Sequence, residues 1–292
     1  MQKVTHSEYI AQKKPLAKQL LAKLNEKYQY ASVLITDNYE KGYRASRSGV
    51  AISATNAFGG KGMIVKVYDG KGYAEYSTNE ITAENLPEIE REIEQQLMNP
   101  ANFIPEGTEE AEYKCISDEP CTLCEATDYE IHPREVGDEK LIETVTALRE
   151  KAVKADERIL DAITGFNYQE YHKLFLSANR ELEQSVLYST GIMALVAAKG
   201  EEIKQSFRGF SNLGGAELLD KMESAIPQCV KTVTDLLNAE PMEPGTYECI
   251  CTPEVTGMIV HEAFGHGVEM DMFVKDRALA QSYIGKQVAS PL

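Results

Sequence analysis

Positive charge is what this chain has least of. Against 46 Asp and Glu it carries 30 Lys and Arg, a net −16 over 292 residues. No run of Lys and Arg is interleaved with aromatics, so the footprint that neutralises phosphates is missing, and no direct nucleic-acid partner is expected. An acidic surface serves solubility instead. Long apolar runs are missing too. Nothing approaches the ~20 residues that cross a membrane as a helix. The opening MQKVTHSEYIAQKKPLAK has no apolar leader core. The expectation is a cytoplasmic protein with no membrane contact. Internal repeats and low-complexity tracts are also lacking.

The six cysteines are scattered and impose no disulfide framework. Cys121 and Cys124 form a C-x-x-C, with Cys115 shortly before it. No second such pair exists and no βαβ pattern surrounds this one, so loop thiols are expected ahead of half a zinc site or a redox pair. Cys249 and Cys251 stand at strand spacing on one face, where core packing is expected of small apolar thiols.

The length exceeds one average domain, so two are expected, and it suffices for a sizeable core. A 43% hydrophobic and 26% charged composition is that of an ordinary soluble protein. Thr5 and Glu8 are spaced as a capping box, before an apolar stripe of Leu16, Leu20, Leu21 and Leu24 on a helix that Pro15 begins or kinks. Residues 29–36 read as a buried strand. Residues 43–54 and 62–77 read as antiparallel strands, the latter turning at Asp69-Gly70. A charged amphipathic helix is expected over 86–97, its many Glu forming a solvated face.

Residues 99–136 break this pattern. Pro100, Pro105, Pro120 and Pro133 punctuate a polar run without periodicity, which reads as an irregular insertion or long loop. A helix over 138–157 follows, then strands through 158–209 with turns near Asn179 and Lys199-Gly200. A helix over 215–237 leads to Pro241 and Pro244-Gly245, the best boundary in the chain. The domains expected are 1–240 and 241–292.

The chemistry concentrates in Thr252 to Asp271, TPEVTGMIVHEAFGHGVEMD. Thr252 fits an N-cap and Pro253 the first helical position. Val255, Met258, Ile259 and Phe264 give an apolar face, and Gly265 and Gly267 stand where a helix stops. On this segment lie His261, Glu262 and His266, two imidazoles and a carboxylate of the kind that hold zinc and a reactive water. Their spacing is H-E-x-x-x-H. Five residues of regular α-helix turn the two imidazoles about 140° apart with about 7.5 Å of rise. They share one ion only if the helix gains a residue in that turn, as a π-bulge does, or unwinds at Gly265. The bland alternative is two unrelated histidines at a helix end, one a partner of the helix dipole.

HEAFGHGVEMD, with PGTYECICTPEVTGMIV before it and YIGKQVASPL after it, resembles the TldD/PmbA family of peptidases, whose catalytic branch carries H-E-x-x-x-H. The likeness runs more weakly upstream through SVLYSTGIMALVAAKGEE and QSFRGFSNLGG, covering most of 140–292. It implies an α+β fold: an N-terminal α/β region with mixed or antiparallel sheets and helices, then the start of a β-rich C-terminal domain. It further implies that residues 241–292 begin a metallopeptidase domain that family members continue. His261 and His266 would be zinc ligands and Glu262 the general base, and the family's third ligand, a Cys, would lie in that continuation. Glu269, Asp271 and Cys251 are the local substitutes that proximity offers.

Three functions follow from the resemblance. One is a zinc-dependent peptidase trimming small or unfolded peptides. Another is a non-catalytic or assembly subunit, since such families pair an active subunit with a relative lacking the motif; a homodimer or a heterodimer with a related subunit is expected. The last is a regulator of DNA gyrase, which the charge of −16 restricts to protein-mediated action. The presence of all three motif residues favours the active role.

Overall fold

Three unusually long strands dominate the chain: β2 (Tyr30–Ser46), β8 (Ile159–Ser177) and β9 (Arg180–Lys199). The computed structural model describes residues 1–54, 60–98, 115–274 and 277–290. Its contacts divide into two compact units, Met1–Ala239 and Glu240–Leu292.

In the first unit the short β1 (Gln2–Lys3) precedes helix α1 (Glu8–Lys27). Ser7, rather than Thr5, caps α1: its Oγ accepts from the backbone N–H of Ile10 at 3.1 Å and donates to Asp37 at 2.7 Å. Ser7 wins because its backbone is extended at φ −68° and ψ 125°, which aims the hydroxyl back over the first turn. Pro15 neither begins nor ends α1 but lies inside it, unable to donate to the carbonyl of Ala11. Replacing Ser7 with Ala is expected to cost about 1–2 kcal/mol, measurable as a lower urea midpoint with unchanged m-value.

β2 extends ten residues past the sequence expectation and pairs with both β8 and β4 (Lys61–Tyr68). It turns at Arg47-Ser48 into β3 (Gly49–Ala54), and β4 turns at Asp69-Gly70 into β5 (Tyr73–Thr78). Helix α2 (Leu86–Met98) falls where its periodicity places it.

The expected irregular stretch splits. Residues 99–114 lie outside the described residues. Residues 115–136 hold β6 (Cys121–Ala126), β7 (Asp128–Tyr129) and the short α3 (Pro133–Val136), which corrects the loop expectation. β6 pairs in parallel with Arg180–Ser185 at the start of β9. Its side chains are almost all exposed, so no apolar alternation marks it; a long-range ladder makes it a strand. Cys121 and Cys124 therefore stand three apart on a strand, on opposite faces, which rules out one shared site.

Helix α4 (Asp138–Lys154) comes next, then β8, β9 and β10 (Glu202–Leu213), and α5 (Leu218–Leu236). β9 passes to β10 through Gly200-Glu201, where Gly200 takes φ +63°, a left-handed conformation suited to a tight hairpin. The main sheet runs β10-β9-β8-β2-β4-β5, with β3 on β2 and β6 on β9. Among its described pairs only β6–β9 is parallel. The α+β expectation holds.

Two apolar clusters anchor this unit. One joins Leu141, Val145 and Leu148 of α4 and Met222, Ile226 and Val233 of α5 to Tyr43, Phe166, Leu187 and Met193 of the sheet. The other joins Ile10, Leu20 and Leu24 of α1 and Ile89 and Ile93 of α2 to Val33, Ile35, Val65, Val67 and Leu174. Each strand contributes alternate residues, the period of a half-buried sheet.

The second unit is helical among its described residues. It contains α6 (Pro253–Val260), α7 (Met270–Val274) and short tighter or wider turns. The β-rich start implied for residues 241–292 is not formed by the described residues. Cys249 and Cys251 lie in non-strand chain and are exposed rather than in a core. A strand needs a neighbour to pair its backbone, and the described residues of this unit offer none. No helix of the described residues is long and apolar enough to cross a membrane.

Candidate metal centre

α6 starts as its residue types direct, with Thr252 extended at the N-cap position and Pro253 first in the helix. Thr252 caps through its backbone alone, its carbonyl accepting from the N–H of Thr256 at 2.9 Å. The helix does not stop at Gly265. Residues His261–Gly265 form a π turn, closed by the backbone N–H of His266 donating to the carbonyl of His261 five residues back. His266–Val268 then tightens into a 3-10 turn that ends at Glu269, whose backbone is extended.

The wide turn decides the geometry. It removes the mismatch that a five-residue spacing has on an α-helix and brings the two imidazoles together edge to face. Their ring centroids are 4.5 Å apart at an interplanar angle of 72°. His266 Nε2 lies 3.9 Å from Glu262 Oε2. Gly265 is not needed sterically, since an added Cβ would meet His261 Nδ1 at 3.8 Å, an ordinary contact.

Among the described residues, one group of three or more His, Cys, Asp or Glu brings ligand atoms within 4.8 Å of one another, and it is His261, Glu262 and His266. Two imidazoles suit zinc as ligands, and the carboxylate beside them suits either a ligand or a base for a metal-activated water. The residues present fit the ion. All three are exposed in this chain. The apolar residues around them are equally open: Met258, Ile259 and Phe264 are each at least half exposed.

Of the local substitutes for a further ligand, Glu269 is engaged elsewhere, its Oε1 lying 2.9 Å from His266 Nδ1. Asp271 and Cys251 do not join the convergent group.

A second polar centre was not anticipated from the sequence. The protein has five histidines, and the other three, His6, His132 and His172, line one pocket of about 410 Å³ in the first unit. Its sheet wall includes Asp37 and Tyr39 of β2 and Glu170 and His172 of β8. Ser185 Oγ on β9 lies 2.9 Å from both His6 Nδ1 and His172 Nδ1. Glu170, with 7% of its side chain exposed, meets Arg134 Nε at 2.9 Å and His132 and His172 at 3.6 Å each. Burial pushes the Glu170 carboxyl up, but the nearby His172 ring and the charges of Arg134 and His132 outweigh it and hold it below the usual carboxylate range. The trace in the sequence is the inward register of β8, Phe166, Tyr168, Glu170, His172, Leu174, Leu176, where two ionisable residues interrupt a buried apolar row.

Residues 244–292 match the family model of the PmbA/TldA metallopeptidase C-terminal domain. The chain is 29% identical over 97 residues to a metalloprotease of Methanothermobacter thermautotrophicus, covering 32% of this chain and 21% of that protein. It is 20% identical over 273 residues to a metalloprotease of Methanocaldococcus jannaschii, covering 92% of this chain and 58% of that protein. Its fold is similar to a crystal structure from Bacteroides thetaiotaomicron described as a modulator of DNA gyrase, with TM-score 0.68 and 16% identity over 95% of this chain and 62% of that one. TldE from Thermococcus kodakarensis is similar over 75% of this chain and 47% of that one, with TM-score 0.53 and 13% identity. The chain thus spans less than two thirds of each of these proteins. The fold is that of the gyrase-modulator structures. The match to the PmbA/TldA metallopeptidase family is confined to residues 244–292.

Proposed function

We propose that this chain carries the metal-binding helix of a zinc-dependent peptidase of the TldD-like branch, acting on small or unfolded peptides in the cytoplasm. His261 and His266 are the imidazole ligands and Glu262 is the general base. The observation that carries this reading is the π turn, which brings histidines five apart to a 4.5 Å ring separation with Glu262 beside them. Zinc held there supplies Lewis acidity for a peptide carbonyl and acidifies a water. The imidazoles bind in their neutral form through a nitrogen lone pair. Glu262, next to the first of them, accepts a proton on a carboxylate oxygen and returns it to the leaving amine. With Glu262 so used, the remaining protein donor comes from outside the convergent trio, as the family resemblance implies for a Cys.

The family name of the matched segment and the names of the curated relatives support this reading. Likeness to TldE supports assembly with a copy of itself or a related subunit. A second reading, an assembly subunit or protein-mediated regulator of DNA gyrase, is favoured by the description of the Bacteroides structure. Titration of the full-length protein with zinc against a chromogenic chelator separates the two. His261→Ala is expected to weaken zinc binding more than about 100-fold, beyond the ~10–100-fold effect of losing an outer partner. Equal zinc affinity in wild type and variant removes the peptidase reading and leaves the subunit reading standing.

A further inference from the structure

The contact between Glu269 and His266 is not a metal-ligand contact, yet it fixes which nitrogen of His266 is available. Two successive local structures create it. The 3-10 turn His266–Val268 places residues three apart nearly in line along its axis. The extended backbone of Glu269, at φ −69° and ψ 132°, ends that turn at the position where its carboxylate meets His266. The result is a 2.9 Å separation between Glu269 Oε1 and His266 Nδ1. An ionised carboxylate only accepts, so the proton between them belongs to Nδ1. A neutral imidazole carries one N–H, and Nε2 is left as a bare lone pair. That nitrogen is the one that faces Glu262, at a 3.9 Å separation too long for a hydrogen bond.

We infer that Glu269 is a positioning residue: it holds His266 in the Nδ1–H tautomer and presents Nε2 to the ion. This rests on the metal reading of the site proposed above. The competing account is an ordinary exposed pair at i,i+3, since both side chains are about half exposed, 48% and 49%. Such a pair contributes little to stability and nothing to zinc affinity.

The test has one readout that needs no metal. Long-range proton–nitrogen NMR of the metal-free chain, at a pH of about 8 where imidazole is neutral, reports the His266 tautomer. Nδ1–H is expected in wild type, and Glu269→Ala is expected to shift His266 toward Nε2–H. In zinc titrations, Glu269→Ala is expected to weaken binding ~10–100-fold without a change in Tm, His266→Ala serving as the baseline. Glu269→Gln retains an accepting oxygen and should recover most of that affinity. If Glu269 were itself a ligand, Gln would be as damaging as Ala, because an amide oxygen is a poor substitute for a carboxylate on zinc. An unchanged tautomer in Glu269→Ala overturns the inference, as does a Gln variant as weak as Ala. A full-length wild-type protein that binds zinc no better than its His266→Ala variant overturns the metal reading itself, which the tautomer measurement distinguishes from failure of the Glu269 role.

Discussion

Glu262→Gln in the full-length protein is expected to keep its zinc and lose peptide hydrolysis. The amide preserves the shape of the side chain, so the helix and the two imidazoles should be undisturbed. It cannot accept a proton, and general-base catalysis typically contributes about 100- to 10,000-fold. A drop of that size in kcat with an unstructured peptide, at wild-type zinc content, assigns Glu262 as the base. Loss of zinc instead would make Glu262 the third donor of the trio, which its place within 4.8 Å of both imidazoles permits. A variant that holds zinc and cleaves at the wild-type rate would remove the peptidase mechanism.

The largest effect on stability is expected at Glu170. Its carboxylate is the common partner of Arg134, His132 and His172. Glu170→Gln leaves those donors facing a neutral amide, and a buried ion pair broken on one side costs about 3–5 kcal/mol. Half of the Arg134 side chain remains in solvent, which lowers the expectation here to about 2–3 kcal/mol. The sign with pH follows from the direction of the shift. Glu170 is held below the usual carboxylate range when folded, so its contribution is present above the ordinary Glu pKa and fades as pH falls through the depressed value. The stability gap between wild type and Glu170→Gln should therefore be wide at neutral pH and close on acidification. Urea unfolding across that range measures it; a gap that does not change with pH would refute the role given to the charge.

Much of the fold is written locally. The Asp69-Gly70 turn and the periodicity of α2 and α4 place elements within a few residues, whereas β2 runs ten residues past the stretch read as a strand. The failures share one cause, which is that a distant partner decides them. β6 is a strand because β9 offers it a ladder, although its own side chains are exposed. Ser7 rather than Thr5 caps α1 partly because Asp37, thirty residues on, receives its hydroxyl. The pocket of His6, His132 and His172 draws on residues more than 160 positions apart, and only the register of β8 hinted at it. The candidate metal centre is the opposite case. Its donors lie within six residues, so spacing left a widened or an unwound turn as the ways to share one ion, and the backbone takes the widened one. What spacing left open was the role of Glu269, which depends on a tighter turn following immediately after the wide one.

The π turn also speaks to descent. On a regular α-helix, histidines four apart already lie roughly 40° from one another, close enough for a common ion. Removing one residue from between Glu262 and His266 would turn this segment into H-E-x-x-H and let the helix run straight with the imidazoles still together. A single inserted codon therefore separates the two spacings, and the widened backbone absorbs the insertion locally, without moving the donors apart.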